Sequence, residues 1–188
     1  MFKHLLVPTD GSALSEVAVQ MAVTLAAEND ASVTGLHVMP EFHVLAYGTE
    51  MLMDTEEKFV QVNKERAEAF LVAVTKAASR AGVTCDTVAT TRAHPYEAII
   101  STAIERNCDL IVMASHGRSG VRGLLIGSET QKVLTHSAIP VLVVRQSTHT
   151  GVVGEAGVGK QSTASKSSSP HGFIIGRIPL AVTPALST

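Results

Sequence analysis

The 188-residue chain carries 45% apolar and 17% charged residues and a formal net charge of −2. That length suits one domain with a real core, that balance is globular rather than disordered, and the near-neutral charge gives no electrostatic footprint for nucleic acid. No run approaches the ~20 apolar residues needed to span a bilayer. The two cysteines, Cys85 and Cys108, stand apart without metal-ligand spacing, which fits free thiols in a reducing compartment. The opening apolar run is cut by Pro8 and Asp10, far short of a signal-peptide core, so a cytoplasmic location is expected.

Strand-like and helix-like segments alternate along the chain. Residues 2–7 form a short apolar run that ends in Pro8-Thr9-Asp10-Gly11-Ser12, a strand followed by a turn. Ser12 can cap a helix on which Leu14, Val17, Ala18, Met21 and Leu25 recur at helical spacing. Residues 32–39 are β-branched and apolar and stop at Pro40, a second strand. After an irregular loop, residues 55–81 read as a long helix with Phe59, Val62, Ala69, Phe70 and Ala73 on its apolar side. A third strand is expected over 83–90. Pro95 stands at a first helical position, with Ala98, Ile99, Ala103 and Ile104 behind it. Residues 110–114 are wholly apolar, a fourth strand. A glycine-rich loop then leads to a short helix over 128–136, and residues 140–144 close the pattern as a fifth strand.

Strands apolar on both faces and separated by helices imply a parallel sheet covered on both sides. Right-handed crossovers make that a doubly wound five-stranded α/β sheet. Ligands of such sheets bind beyond the carboxyl ends of the strands, where the winding reverses, which points to the loops after the first and fourth strands. Beyond Arg145 the character changes. Residues 146–172 are rich in Ser, Thr, Gly and Lys with little to bury, so the tail 146–188 is expected to be disordered outside the 1–145 domain. Residues 173–186 are apolar again but are broken by Pro179 and Pro184, too short and interrupted for a membrane span.

The strongest chemical signal runs from Ala114-Ser115-His116-Gly117 to Gly127-Ser128. It begins as the fourth strand ends and stops as a helix begins. Glycines let backbone N–H groups approach phosphate oxygens, and a helix N-terminus favours an anion. Ser128 adds a hydroxyl that can cap the helix, donate to a phosphate or ligate a divalent cation. A second glycine run, residues 154–160, imitates a P-loop, but Gln161 stands where Ser or Thr should hold magnesium, and neither strand nor helix flanks it.

The stretch resembles the nucleotide loop of the universal stress protein family, whose pattern is G-x2-G-x9-G-[ST]. Gly117, Gly127 and Ser128 match its later part in type and spacing, while Ala114 replaces its first glycine. The opening Leu6-Val7-Pro8-Thr9-Asp10-Gly11-Ser12, Leu36-His37-Val38, Asp109-Leu110-Ile111-Val112-Met113 and Ile139-Pro140-Val141-Leu142-Val143-Val144 are similar as well, in order, over residues 2–145. The resemblance implies a Rossmann-like fold of the adenine nucleotide alpha hydrolase type and an adenine nucleotide ligand: ATP, or AMP or ADP, with or without Mg2+. It implies base and ribose contacts at Pro8, Thr9, Asp10 and Val38, with Met113 and Ala114 lining the site. Phosphates would meet Gly117, Gly127 and Ser128, with Glu129, Thr130 and His116 near them. It also implies a homodimer paired through strand 140–144, an edge strand in the family's order, and a regulatory protein partner.

Two other readings stand beside it. One is a slow ATPase or phosphoryl-transfer enzyme, which would need a positioned base that His116, Asp10 and Glu129 supply only thinly. The other is a ligand-free dimeric module, since one branch of the family binds no nucleotide. Asp10 could equally order its own turn, His4 and His37 read as packed or hydrogen-bonded core groups, and Arg118 and Arg122 as solvated loop residues or phosphate neighbours.

Overall fold

A computed structural model describes residues 1–42, 49–117, 126–146 and 171–176. In chain order the elements are β1 (His4–Pro8), α1 (Ala13–Asn29), β2 (Ser32–Met39), α2 (Thr49–Arg80), β3 (Cys85–Thr91), α3 (Pro95–Glu105), β4 (Leu110–Ala114), α4 (Ser128–His136), β5 (Val141–Gln146) and β6 (His171–Gly176). They build one sheet in the order β3-β2-β1-β4-β5-β6. β1 to β5 are parallel and β6 is antiparallel to β5.

Local chemistry sets the helix boundaries. Ser12, in extended backbone, accepts from the Ser15 N–H at 3.2 Å and starts α1. Asp30 ends that helix in the left-handed region (φ 50°), its N–H on the Ala26 carbonyl. Pro95 opens α3, where a missing N–H costs nothing. β4 is buried along its whole length, and its side chains alternate between two apolar clusters. Leu110, Val112 and Ala114 join α1 and α2 on one face; Ile111 and Met113 join α3 and α4 on the other. The sheet is therefore covered on both faces, as its apolar central strands β1 and β4 require. β1 has β2 on one side and β4 on the other, so the winding reverses between β1 and β4. A crevice beyond their carboxyl ends follows from that arrangement.

Two expectations need correction. β5 does not end the sheet, because β6 lies along its outer side from Val141↔Gly176 to Gln146↔His171. Residues 171–176 accordingly have strand structure, where the sequence reading gave the whole tail none. A Phe-Ile-Ile run between glycines has high β propensity, but a strand needs a partner, and the β5 edge that supplies it lies far away in sequence. The P-loop-like run at 154–160 and the loop residues Arg118 and Arg122 lie outside the described residues. Among the described residues no helix is long and apolar enough to cross a membrane.

Both cysteines are free. Burial pushes the Cys108 thiol up to about 11, so at pH 8 only about one molecule in a thousand carries the thiolate there. Mass-spectrometric mapping of iodoacetamide labelling at pH 8 is expected to find Cys85 modified well before Cys108 in the folded protein, with both modified in denaturant. Equal rates in the folded protein would contradict the burial of Cys108.

Candidate functional site

One wall of the crevice is the turn between β1 and α1. The Thr9 N–H donates to the Leu36 carbonyl at 2.8 Å, prolonging the β1–β2 ladder past Pro8. Its hydroxyl lies 3.1 Å from the Ser15 hydroxyl and accepts from the Gly11 N–H at 3.2 Å. Gly11 adopts φ +72°, and a β-carbon there would overlap the Phe70 ring, so the turn requires glycine. Asp10 Oδ1 accepts from the Ser12 N–H (3.1 Å) and hydroxyl (2.6 Å), the turn-ordering role its sequence position allows. From β2, His37 Nδ1 donates to the Thr9 carbonyl at 2.7 Å.

The opposite wall is the exit of β4 and the start of α4. The Gly127 N–H donates to the Ser115 carbonyl at 2.7 Å, and the Thr130 hydroxyl to the Ala114 carbonyl at 3.0 Å. These bonds fasten the N-terminus of α4 to the end of β4. The helix cap is Gly127, with φ −72° and ψ 157°, not Ser128. Glycine serves at that position almost as well as serine, and Ser128 becomes the first helical residue with its hydroxyl released from capping. The first-turn N–H groups of Ser128, Glu129 and Thr130 have no intrahelical acceptors. They, rather than the engaged Gly127 N–H, form the anion-facing end of the helix.

The Glu129 side chain has two partners. Its Oε2 accepts from the Tyr96 N–H at 2.9 Å and its Oε1 from Lys132 at 2.8 Å. The carboxylate thus holds the N-terminus of α3, and its hydrogen bond raises the Lys132 ammonium above the ordinary lysine range. A carboxylate so engaged ties the N-terminus of α3 to α4. Among the described residues no cluster of three or more His, Cys, Asp or Glu could hold a metal ion.

Between the walls lies a crevice of about 520 Å³. The residues assigned to the nucleotide from the sequence line it: Pro8 at the end of β1, Thr9 and Asp10 from the turn that follows, Val38 from β2, Met113, Ala114, His116 and Gly117 from the β4 exit, and Gly127, Ser128, Glu129 and Thr130 from the cap and first turn of α4. Ser15, Leu36, His37, Pro95 and Ile99 line it as well. His37 had read as a core group, which it also is at 8% exposure. Pro95 and Ile99 belong to no motif and arrive only through the packing of α3. A β-carbon on Gly117 would sit 2.5 Å from Asp10 Oδ2, so this glycine lets the two walls meet. Ala114 belongs to the apolar cluster of Leu14 and Val112 on the α1 face, where the methyl that departs from the glycine pattern is accommodated.

The universal stress protein family profile matches residues 1–145. Among curated relatives, the universal stress protein YxiE of Bacillus subtilis is 35% identical over 77% of this chain and its own full length. MJ0531 of Methanocaldococcus jannaschii is 31% identical over 78% of this chain and 84% of its own. Among solved structures, UspA from Lactobacillus plantarum superposes with a TM-score of 0.67 at 25% identity, covering 77% of this chain and 98% of that one. A universal stress protein solved in complex with cAMP superposes with a TM-score of 0.58 at 28% identity, covering 78% and 99%.

Proposed function

The chain belongs to the universal stress protein family, and from that premise we propose that it is a regulatory protein that binds an adenine nucleotide, ATP foremost. The observation that carries the reading is the convergence of motif residues from four separate elements on one crevice of about 520 Å³. Its mostly apolar strand ends suit a base. The N-terminus of α4 suits phosphate oxygens, through free backbone donors and the helix dipole. The relative in complex with cAMP supports an adenine nucleotide as the ligand class.

In this reading the base and ribose lie against Pro8, Thr9, Asp10 and Val38. The phosphates meet Gly117 and the first turn of α4, where the Ser128 hydroxyl donates to an oxygen or helps to hold Mg2+. The cation would supply charge neutralisation between phosphates. Asp10 is committed to its turn and Glu129 to α3, which favours binding over rapid hydrolysis. The same reading takes the protein as cytoplasmic, acting on a regulatory protein partner, and pairing as a homodimer through strand 140–144 when β6 leaves that edge; its free thiols support the compartment.

Calorimetric titration with ATP, AMP and cAMP, with and without Mg2+, tests it. Saturable binding of at least one of them is expected, and binding of none would overturn the reading. Ser128→Ala is expected to weaken ATP by about 1 kcal/mol, roughly fivefold, through loss of a hydrogen bond to a charged group.

A further inference from the structure

The outer side of β5 is the place where the fold and the proposed dimer make opposing demands. Parallel pairing with β4 uses one side of β5, from Ile111↔Val141 to Ala114↔Val144. All six residues of β5 are paired on the other side with β6, in antiparallel register. Two copies of one strand meeting across a two-fold axis also pair antiparallel. β6 therefore presents to β5 the same kind of ladder that a second copy's β5 would present.

We propose that β6 is an internal cap on self-association: residues 171–176 and the β5 strand of a second copy compete for one row of N–H and C=O groups on β5. The inference rests on the reading of the protein as a homodimer through strand 140–144. An apolar strand edge of this kind is normally covered or paired, and here the chain supplies its own cover. The connection between the two strands spans residues 147–170, far longer than the few residues of an ordinary hairpin. β6 is therefore not tied to the edge by the turn of a hairpin, and its hold on β5 rests on the ladder itself. While attached, β6 acts at an effective concentration on the order of millimolar. A second copy at micromolar concentration does not displace it unless something holds β6 away. Self-association is then governed by whatever engages residues 171–176.

The test uses the full-length chain and a full-length variant carrying Ile174→Pro and Ile175→Pro. Proline lacks an N–H, and successive N–H groups of a strand point to opposite edges, so one of the two replacements removes a ladder donor. Sedimentation velocity from 1 to 100 μM should give monomers for the parent chain and at least a tenfold tighter dimer for the variant. A synthetic peptide spanning residues 170–177, added in trans, should return the variant to monomer. Thermal melting by circular dichroism confirms that both chains are folded. Hydrogen exchange separates the ways of failing. β5 amides that exchange in the parent as freely as an open strand edge would show that β6 is no cap and overturn the inference alone. Protected β5 amides in the parent, with a variant that stays monomeric, would overturn the homodimer reading and the competition with it. A parent dimer that the prolines dissociate would mean that β6 bridges copies, which also overturns the cap.

Discussion

Gly127→Val is expected to weaken ATP binding about 100-fold or more, roughly 2.7 kcal/mol, while the protein still folds. The reason is not backbone freedom. Gly127 sits at φ −72° and ψ 157°, a conformation open to any residue. What excludes a side chain is the neighbouring backbone: a β-carbon would lie 3.2 Å from His116 Cα, 3.3 Å from His116 Cβ and 3.4 Å from the Ser115 carbonyl oxygen. Two of these contacts are to main chain, which cannot swing aside like the end of a flexible side chain. Alanine would push the start of α4 away by a few tenths of an ångström; valine adds two γ-carbons to the same crowding. The 2.7 Å bond from the Gly127 N–H to Ser115 is the tie that sets the first turn of α4 against the end of β4. Stretching it moves the Ser128, Glu129 and Thr130 donors off the phosphates together. Folding should lose only about 1–3 kcal/mol, the usual cost of overpacking, because the sheet is anchored elsewhere. Calorimetry on Gly127→Ala and Gly127→Val checks the grading; wild-type affinity in the valine variant would remove the crevice from consideration as the nucleotide site.

Much of this architecture was legible because its signals are local. Residues 32–39, 110–114 and 128–136 match their elements to the residue: Pro40 stops β2, an unbroken apolar run is β4, and a glycine-serine pair opens α4. α2 begins at Thr49 rather than 55, since Glu50, Met51, Leu52 and Met53 have high helix propensity but no helical spacing of apolar residues to mark them. The crevice was legible through spaced glycines and strand ends. The atomic assignments within it were not. Spacing cannot tell that Gly127 caps α4 and frees Ser128, or that the Glu129 carboxylate turns to Tyr96. Those depend on how α3 and α4 pack, which no motif encodes. β6 was missed for the opposite reason: its signal is local and apolar, but its stability comes from an unpaired edge about two dozen residues away in sequence.

The strand identified from the sequence as a pairing edge also carries the second large effect. Val143→Lys is expected to lower the melting temperature by about 10 °C or more, by destabilising the fold itself rather than by separating subunits. Strand pairing uses backbone groups at the edge, whereas side chains project from the two faces. The Val143 side chain is 2% exposed and packs on the α3–α4 face with Met113, Ile111 and Val133. A lysine there exchanges a buried valine, a loss of about 1.5–3 kcal/mol, for an ammonium with no partner in an apolar cluster, which adds several kcal/mol. That sum is a large part of the ~5–15 kcal/mol that holds a domain folded. For a chain of this size each kcal/mol is worth roughly 2–4 °C. Val143→Ala separates charge from lost packing: deletion of two methyl groups should cost about 2 kcal/mol, well short of the lysine. Thermal melts of both variants, followed by circular dichroism at one protein concentration, decide the matter. Lysine and alanine variants that melt within a degree of the parent would place this side chain outside the core. A lysine variant that melts early at every protein concentration would show the face, and not the edge, to be the seat of the effect.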